Sequence, residues 1–383
     1  MAEISKRDSY IILAIVTFGN FISPFMVSSV NIALPSIAGE FNLDSLSLNW
    51  IPTAFMLASA IFLVPFGRIS DIYGRKKVYF FGSLFFGFTT FLCAISTNYP
   101  LLMIARIGQG IGGGMFVGIG PALLTSVFPQ EKRGRVLGIA TAAVYIGSSS
   151  GPLVGGMLVE SYGWRSIFWA ALPLFAISAS AIAIFIRGEW SAAAGEKFDF
   201  LGSVLYMLGM VAFILGMSEI LNPLYIVLSA AGILVLIAFI KWEMKIEFPV
   251  LDTNLFKNNR MFVFSNIAAL TSYSATSAVS MLLSLYLQYN KGMSPFYSGL
   301  ILFVQPLTQA IFSPIAGRLS DKIPPGNVAS FGMAMTCLGL VLLNVESFIS
   351  QMWLIYVSLF VLGFGFAMFS APNVNAIMSS VDK

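Results

Sequence analysis

The chain has 383 residues, 57% of them hydrophobic and only 10% charged, with a net charge of +4 and no histidine. A soluble domain carries charge at about a quarter of its positions, so this composition excludes one and makes the lipid bilayer the solvent. Apolar runs of around twenty residues without alternation then select spanning helices over barrel strands, since backbone polar groups in lipid must be satisfied internally.

In chain order the runs predict spans at 10–31, 46–66, 78–96, 101–127, 136–159, 166–186, 200–219, 223–241, 261–289, 296–316, 327–345 and 352–379. The segment before the first run is short and polar, and the run from Tyr10 to Val30 is too long for a signal-peptide core, so no cleavable signal is expected. Eighteen of the 21 Lys and Arg residues fall in one alternate set of loops. Two, Arg165 and Lys291, fall in the other set, and Arg106 lies within a span. The positive-inside rule makes the first set cytoplasmic, and an even number of spans puts both ends of the chain on that side of a cell membrane. Basic residues spread through short loops set orientation, and no nucleic-acid partner is expected.

One phrase occurs twice, 250 residues apart: Gly67-Arg68-Ile69-Ser70-Asp71 and Gly317-Arg318-Leu319-Ser320-Asp321. The first continues as Ile72-Tyr73-Gly74-Arg75-Lys76-Lys77. A charged phrase recurring after corresponding apolar runs indicates internal duplication, the architecture of secondary transporters. The first copy ends span two and the second ends span ten, so two extra spans stand between the halves. The separately bounded pair at 200–219 and 223–241 is the candidate. The expected organisation is a six-helix bundle over 1–190, an inserted helix pair over 191–245, and an incomplete bundle of four spans over 246–383. The second half is two helices short of symmetry, which is expected to reflect truncation.

Several charged and small residues carry specific expectations. Gly67 and Gly74 permit tight backbone geometry, and Asp71 and Arg75 are spaced to meet across one turn. A guanidinium at membrane depth is costly, which marks Arg106 as a functional candidate, with snorkelling to the interface as the alternative. Arg106, Gln109 and Gly113 share one helical face. Gly147, Gly151 and Gly155 strip one face of span five to bare backbone, with Pro152 as a local break and Gly156 beside it; close helix packing accounts for such a stripe. Cys93 and Cys337 lie in separate apolar runs, where both read as small core hydrophobes and define neither a disulfide nor a metal site. No nucleophile–base pair, nucleotide loop or metal cluster is present in the sequence, so neither an enzyme nor an ATP-driven pump is expected.

Gly67 through Lys76 resembles the loop signature of the major facilitator superfamily, and Arg106-Ile107-Gly108-Gln109-Gly110 through Gly114 resembles its span-four signature. Gly147 through Gly156 resembles its span-five antiporter motif. Asn31 through Ala38, Trp50 through Leu57 and Phe198 through Ser203 are similar to its fourteen-span drug:proton antiporter branch. The resemblance implies an all-α membrane fold of duplicated six-helix bundles, here with an inserted pair and about twelve spans present. It implies alternating-access export of small amphipathic compounds with proton coupling, no cofactor, and a monomer in the bilayer.

It further implies that Gly67, Arg68, Asp71, Gly74, Arg75 and Lys76, with Gly317, Arg318 and Asp321, form cytoplasmic latches. In these an Asp faces a helix N-terminus; Asp321 is expected near Gly134, and topology-setting charge is the alternative. Arg106 and Gln109 are implied in coupling, and the glycine stripe is implied to meet a helix of the opposite bundle. The branch carries a span-one acid where this chain has Met26, and all seventeen acids fall in loops or within about a turn of a span end. A positive Arg106 without that acid favours anionic or zwitterionic cargo. An uptake carrier for an anionic metabolite, and a non-transporting sensor or scaffold, are the alternatives. The polar residues expected to line the substrate path are Asn20, Asn31, Tyr145, Gln288, Gln305, Gln309 and Asn373, with Tyr273 and Asn375 beside them.

Overall fold

The computed structural model describes residues 6–218, 222–251, 259–293, 295–349 and 351–381. Their regular structure is helical throughout. The helices are α1 (Lys6–Phe41), α2 (Ser45–Tyr73), α3 (Arg75–Ala94), α4 (Tyr99–Val117) continued by α5 (Ile119–Val127), α6 (Gln130–Tyr162), α7 (Arg165–Phe185), α8 (Phe200–Ser218) and α9 (Pro223–Glu243). After these come α10 (Arg260–Leu285) with a π turn at Tyr286–Asn290, α11 (Pro295–Leu302), α12 (Val304–Ser320), α13 (Pro325–Ile349) and α14 (Met352–Val381).

Eleven helical stretches among the described residues are long and apolar enough to span a bilayer, one fewer than the twelve expected. The ninth expected span is present as the helix α10, Arg260–Leu285, which is not among these eleven.

Two compact units are formed. One comprises Met1–Ser28, Leu124–Val154 and Asn258–Lys383, the other Ser29–Leu123 and Gly155–Lys257.

In the second unit α4 is the centre of packing, and its glycines explain why. A Cβ on Gly112 would sit 2.9 Å from the backbone of Phe86 on α3, and one on Gly110 would sit 2.6 Å from Ala58 on α2. The bare helix thus lets α2 and α3 approach from both sides, the close packing that small residues allow where lipid supplies no hydrophobic drive. Aromatic rings close the remaining space: Tyr79 stacks on Phe116 at 4.5 Å and Phe86 on Phe175 at 4.6 Å. In the first unit, Leu283, Leu287, Ile301, Ile355 and Leu359 make one buried cluster, and Ala316, Val328 and Met368 make another. Cys93 is buried as expected, whereas Cys337 stands exposed on α13, a span face that needs only to be apolar.

A charged cluster ties three connections of the second unit together. The Arg165 guanidinium donates to both carboxylate oxygens of Glu40, at 2.7 and 2.8 Å, and to the Ser96 carbonyl at 2.6 Å. The Trp164 indole N–H donates to the same carboxylate at 2.7 Å, and the guanidinium lies 4.1 Å from the Trp164 ring centre. Hydrogen bonds from Arg165 hold the Glu40 carboxyl below its ordinary value of 4.5. A carboxylate with a depressed folded value contributes stability that is full above its unfolded value and lost as pH falls through the folded one. Thermal melting in detergent is therefore expected to fall below pH 4.5 in the wild type, and Glu40→Gln is expected to start lower and lose part of that acid dependence.

Candidate functional site

Two arrangements gather the residues that the sequence singled out. In the first unit, α12 ends in the second copy of the duplicated phrase and meets the start of α6. The Asp321 carboxylate accepts the backbone N–H of Gly134 at 2.7 Å through Oδ1 and that of Arg135 at 2.9 Å through Oδ2. Gly134 and Arg135 are the fifth and sixth residues of α6, so the carboxylate sits close to the positive end of the helix dipole. Burial pushes the Asp321 carboxyl up from its ordinary value, while the two N–H donors and the Arg135 charge pull the other way.

Gly317 makes this approach possible, because a Cβ there would collide with the Gly134 carbonyl. The Ser313 hydroxyl donates to the Gly138 carbonyl at 3.2 Å, and the Asn375 amide donates to the Ser320 hydroxyl at 3.1 Å, which carries the contact on to α14. Arg318 points away and is exposed.

The first copy of the phrase is built differently. The phrase expected as a loop is helical through Tyr73, so Gly67 sits inside α2 with open space beside it and needs no special geometry. Gly74 alone makes the turn, at φ +116, a conformation that a side chain resists. Asp71 pairs with Arg75 at 2.8 Å, and Arg75 also donates to the Ala122 carbonyl at 2.9 Å. The segment after α7 closes over this turn. Glu196 pairs with Arg68, the Glu189 carboxylate accepts the Lys76 N–H at 2.8 Å, and the Ala193 N–H donates to the Asp71 carbonyl at 2.9 Å. Read in sequence as a boundary, residues 187–199 are a strap on the first latch phrase. The signal for it was two acids, Glu189 and Glu196, in a linker facing a basic turn.

The second arrangement surrounds Arg106 in the other unit. The guanidinium is 1% exposed, so it does not snorkel to the interface. It donates through Nε to the Ile51 carbonyl at 3.2 Å and through Nη1 to Gln109 Oε1 at 2.7 Å; Gln109 Nε2 donates in turn to Thr90 Oγ1 at 2.8 Å. The Phe55 ring lies 4.7 Å from its centre, and Nη2 meets no partner. Among the described residues no carboxylate pairs with it. A buried cation held by neutral oxygens and one aromatic face, with an N–H group to spare, is a binding element for an electronegative group.

The glycine stripe of α6 packs on α1. Gly147 and Gly151 close on Phe21 and Ser28, Gly155 closes on Ser29, and Gly156 lies 3.9 Å from Ile32. The facing helix belongs to the same half of the sequence, not the opposite one, because α1 offers the small Ser28–Ser29 step that a bare helix can seat against.

Of the polar candidates, Asn20 donates to the Ala140 carbonyl at 3.4 Å and Asn373 to the Ser265 carbonyl at 3.0 Å. Tyr145 and Tyr273 both contact Phe366 edge-on, and the Tyr273 hydroxyl lies 3.4 Å from that of Ser370. Gln305 and Gln309 are buried, Asn31 is exposed, and Met26 is a buried apolar side chain. The side chains of Pro152 and Gln288 lie outside the described residues.

These features define a polytopic helical carrier, and the comparisons name its class. The family model for the Major Facilitator Superfamily matches residues 16–383, and the chain belongs to that family of transporters. It is 34% identical to the riboflavin transporter RibZ of Clostridioides difficile over 98% of this chain and 82% of that protein. It is 28% identical to the multidrug resistance protein Stp of Mycobacterium tuberculosis over 92% of this chain and 66% of that one. It is also 29% identical to the methylenomycin A resistance protein of Bacillus subtilis over 90% and 74%. The fold is similar to that of the proton:xylose symporter XylE, with a TM-score of 0.72 at 14% identity over 98% of this chain and 82% of that one.

Asp321→Ala removes the acceptor that joins α12 to the Gly134 and Arg135 N–H groups and is expected to cost about 1 kcal/mol, about a fivefold shift away from the contact. Gly317→Val is expected to open it further through the collision with Gly134. The accessibility of a cysteine placed at Ser320 to a water-soluble thiol reagent is the measurement, and it rises in both variants.

Proposed function

We propose that this protein is a secondary active transporter that exports small amphipathic organic compounds by alternating access, with the basic loops in the cytoplasm. The observation that carries the cargo class is Arg106, buried with a free Nη2 and no carboxylate partner among the described residues. Such a group attracts neutral or anionic polar heads and repels organic cations. The Phe, Met and glutamine residues around the helices suit the apolar body of such a solute. Export draws support from the resistance proteins among the relatives, and the inserted α8–α9 pair supports the fourteen-span antiporter branch.

Proton coupling without the span-one acid would place the proton elsewhere than Met26, so a pH-gradient dependence is part of the proposal. The protein acts as a monomer without cofactor. The second reading, uptake of an anionic or flavin-like metabolite, is favoured by the 34% identity to a riboflavin transporter. A scaffold without transport draws no support from the comparisons.

Purified protein in proteoliposomes, oriented by protease mapping, separates the readings. Riboflavin, an anionic dye and a cationic dye of matched size are offered with an imposed pH gradient of either sign. Export predicts gradient-driven movement away from the basic-loop side, with Arg106→Ala lowering anion transport about tenfold, or about 1.4 kcal/mol. Movement toward that side instead establishes uptake. Preference for the cationic dye, or anion transport unaltered by Arg106→Ala, would overturn the cargo assignment.

A further inference from the structure

Asp199 and Glu243 read in sequence as acids at a loop and a span end. The structure brings them together at the foot of the α8–α9 pair, 6% and 3% exposed respectively. Asp199 stands just before α8, where its Oδ1 accepts the Gly202 N–H at 2.9 Å and its Oδ2 accepts the Trp242 indole N–H at 3.0 Å. Glu243 closes α9, and its Oε2 accepts the Leu251 N–H at 2.8 Å. The fourth oxygen, Glu243 Oε1, meets no donor. It stands with Asp199 Oδ2 over the bare Cα of Gly202, where a Cβ would strike both, and the two carboxyl groups are within hydrogen-bonding reach of each other.

No cation neutralises the pair. Lys197, Lys241 and Lys245, with Glu247, are near in sequence, yet among the described residues none forms an ion pair with either acid. Among the described residues, the charge that acts on Glu243 is that of Asp199. On α2, which packs against α8, Arg68 and Asp71 are engaged with Glu196 and Arg75.

Two ionised carboxylates cannot share a dry site at this range, and such pairs keep one proton between them. We propose that Asp199 and Glu243 hold one shared proton, forming a proton-binding dyad that fastens the foot of the inserted helix pair. The start of α8 favours an anion at Asp199, as does the indole N–H, so the proton resides on Glu243 Oε1 and is donated to Asp199 Oδ2. This satisfies the one oxygen left without a donor. When the proton leaves at alkaline pH, the two anions repel and the Trp242 and Leu251 contacts are strained together. The inference concerns the foot of α8 and α9 alone and does not depend on cargo or direction.

Infrared spectroscopy of the full chain in lipid nanodiscs tests it. The expected result is a protonated-carboxyl band, worth one proton per molecule, that disappears as pH is raised from neutral and is absent in Glu243→Gln. In Asp199→Asn the loss should move to lower pH, since removing a like charge eases ionisation of Glu243. Absence of the band in the wild type overturns the dyad, as does its persistence in Glu243→Gln. An unmoved titration in Asp199→Asn would identify a lone buried acid and overturn sharing. Should Glu243→Gln fail to fold, carbodiimide labelling of the wild type, mapped by mass spectrometry, decides: an adduct on Glu243 at neutral pH that vanishes at alkaline pH supports the proposal, and an unmodified Glu243 sinks it.

Discussion

A guanidinium inside a bilayer has no water to turn to, and the packing of one unit is arranged around that fact. Placing Arg at the centre of a spanning helix costs about 2.5 to 3.5 kcal/mol, so neighbouring groups must answer its donors. Here the answer comes from an Ile51 carbonyl on α2, from Gln109 one turn along α4, and through it from Thr90 on α3. Those partners are in reach because α4 has almost no side chains between Gly108 and Gly114, and both neighbours close onto its backbone. Each interhelical hydrogen bond is modest, about 0.6 kcal/mol, and the network works because several act on one buried charge. The Nη2 group is left without a partner in this network.

The duplicated phrase shows how one sequence element is used in two ways. In the second copy the Asp reaches out to another element and accepts two backbone N–H groups near the start of α6. In the first copy the Asp turns back to its own Arg75, while a linker supplies the carboxylates that cap α3 and neutralise Arg68. Two different contacts therefore come from phrases that differ only by Ile69 against Leu319. The difference lies in what the fold places opposite them: a bare glycine helix start in one case and an acidic strap in the other.

Much of this was legible without coordinates, for physical reasons. Long apolar runs, sparse charge and the loop bias of Lys and Arg follow from the bilayer itself. Arg106 stood out because a charge in a span is expensive. Asp321 near Gly134 followed from the resemblance to the family's loop signature. Other features were hidden. Gly67 and Gly74 look alike in the phrase, but only the backbone at Gly74 takes a positive φ. The face that the Gly147–Gly155 stripe meets depends on which helix lies beside α6, and sequence periodicity gives a face without a neighbour. Asp199 and Glu243 are 44 positions apart, and each alone resembles an ordinary acid at a membrane edge.

By itself the sequence determined that the chain crosses a membrane many times as helices, that one charged phrase recurs in it, and where its costly charges lie. Those properties follow from transfer energies and local periodicity, which act on a residue wherever its neighbours are. Tertiary structure decided which donors meet which acceptors: that Arg106 is buried with Nη2 unpartnered, that Glu189 and Glu196 strap the first phrase, and that two acids meet over Gly202. Such pairings rest on distances of a few ångströms between segments far apart in the chain, and only the packed helices set those distances.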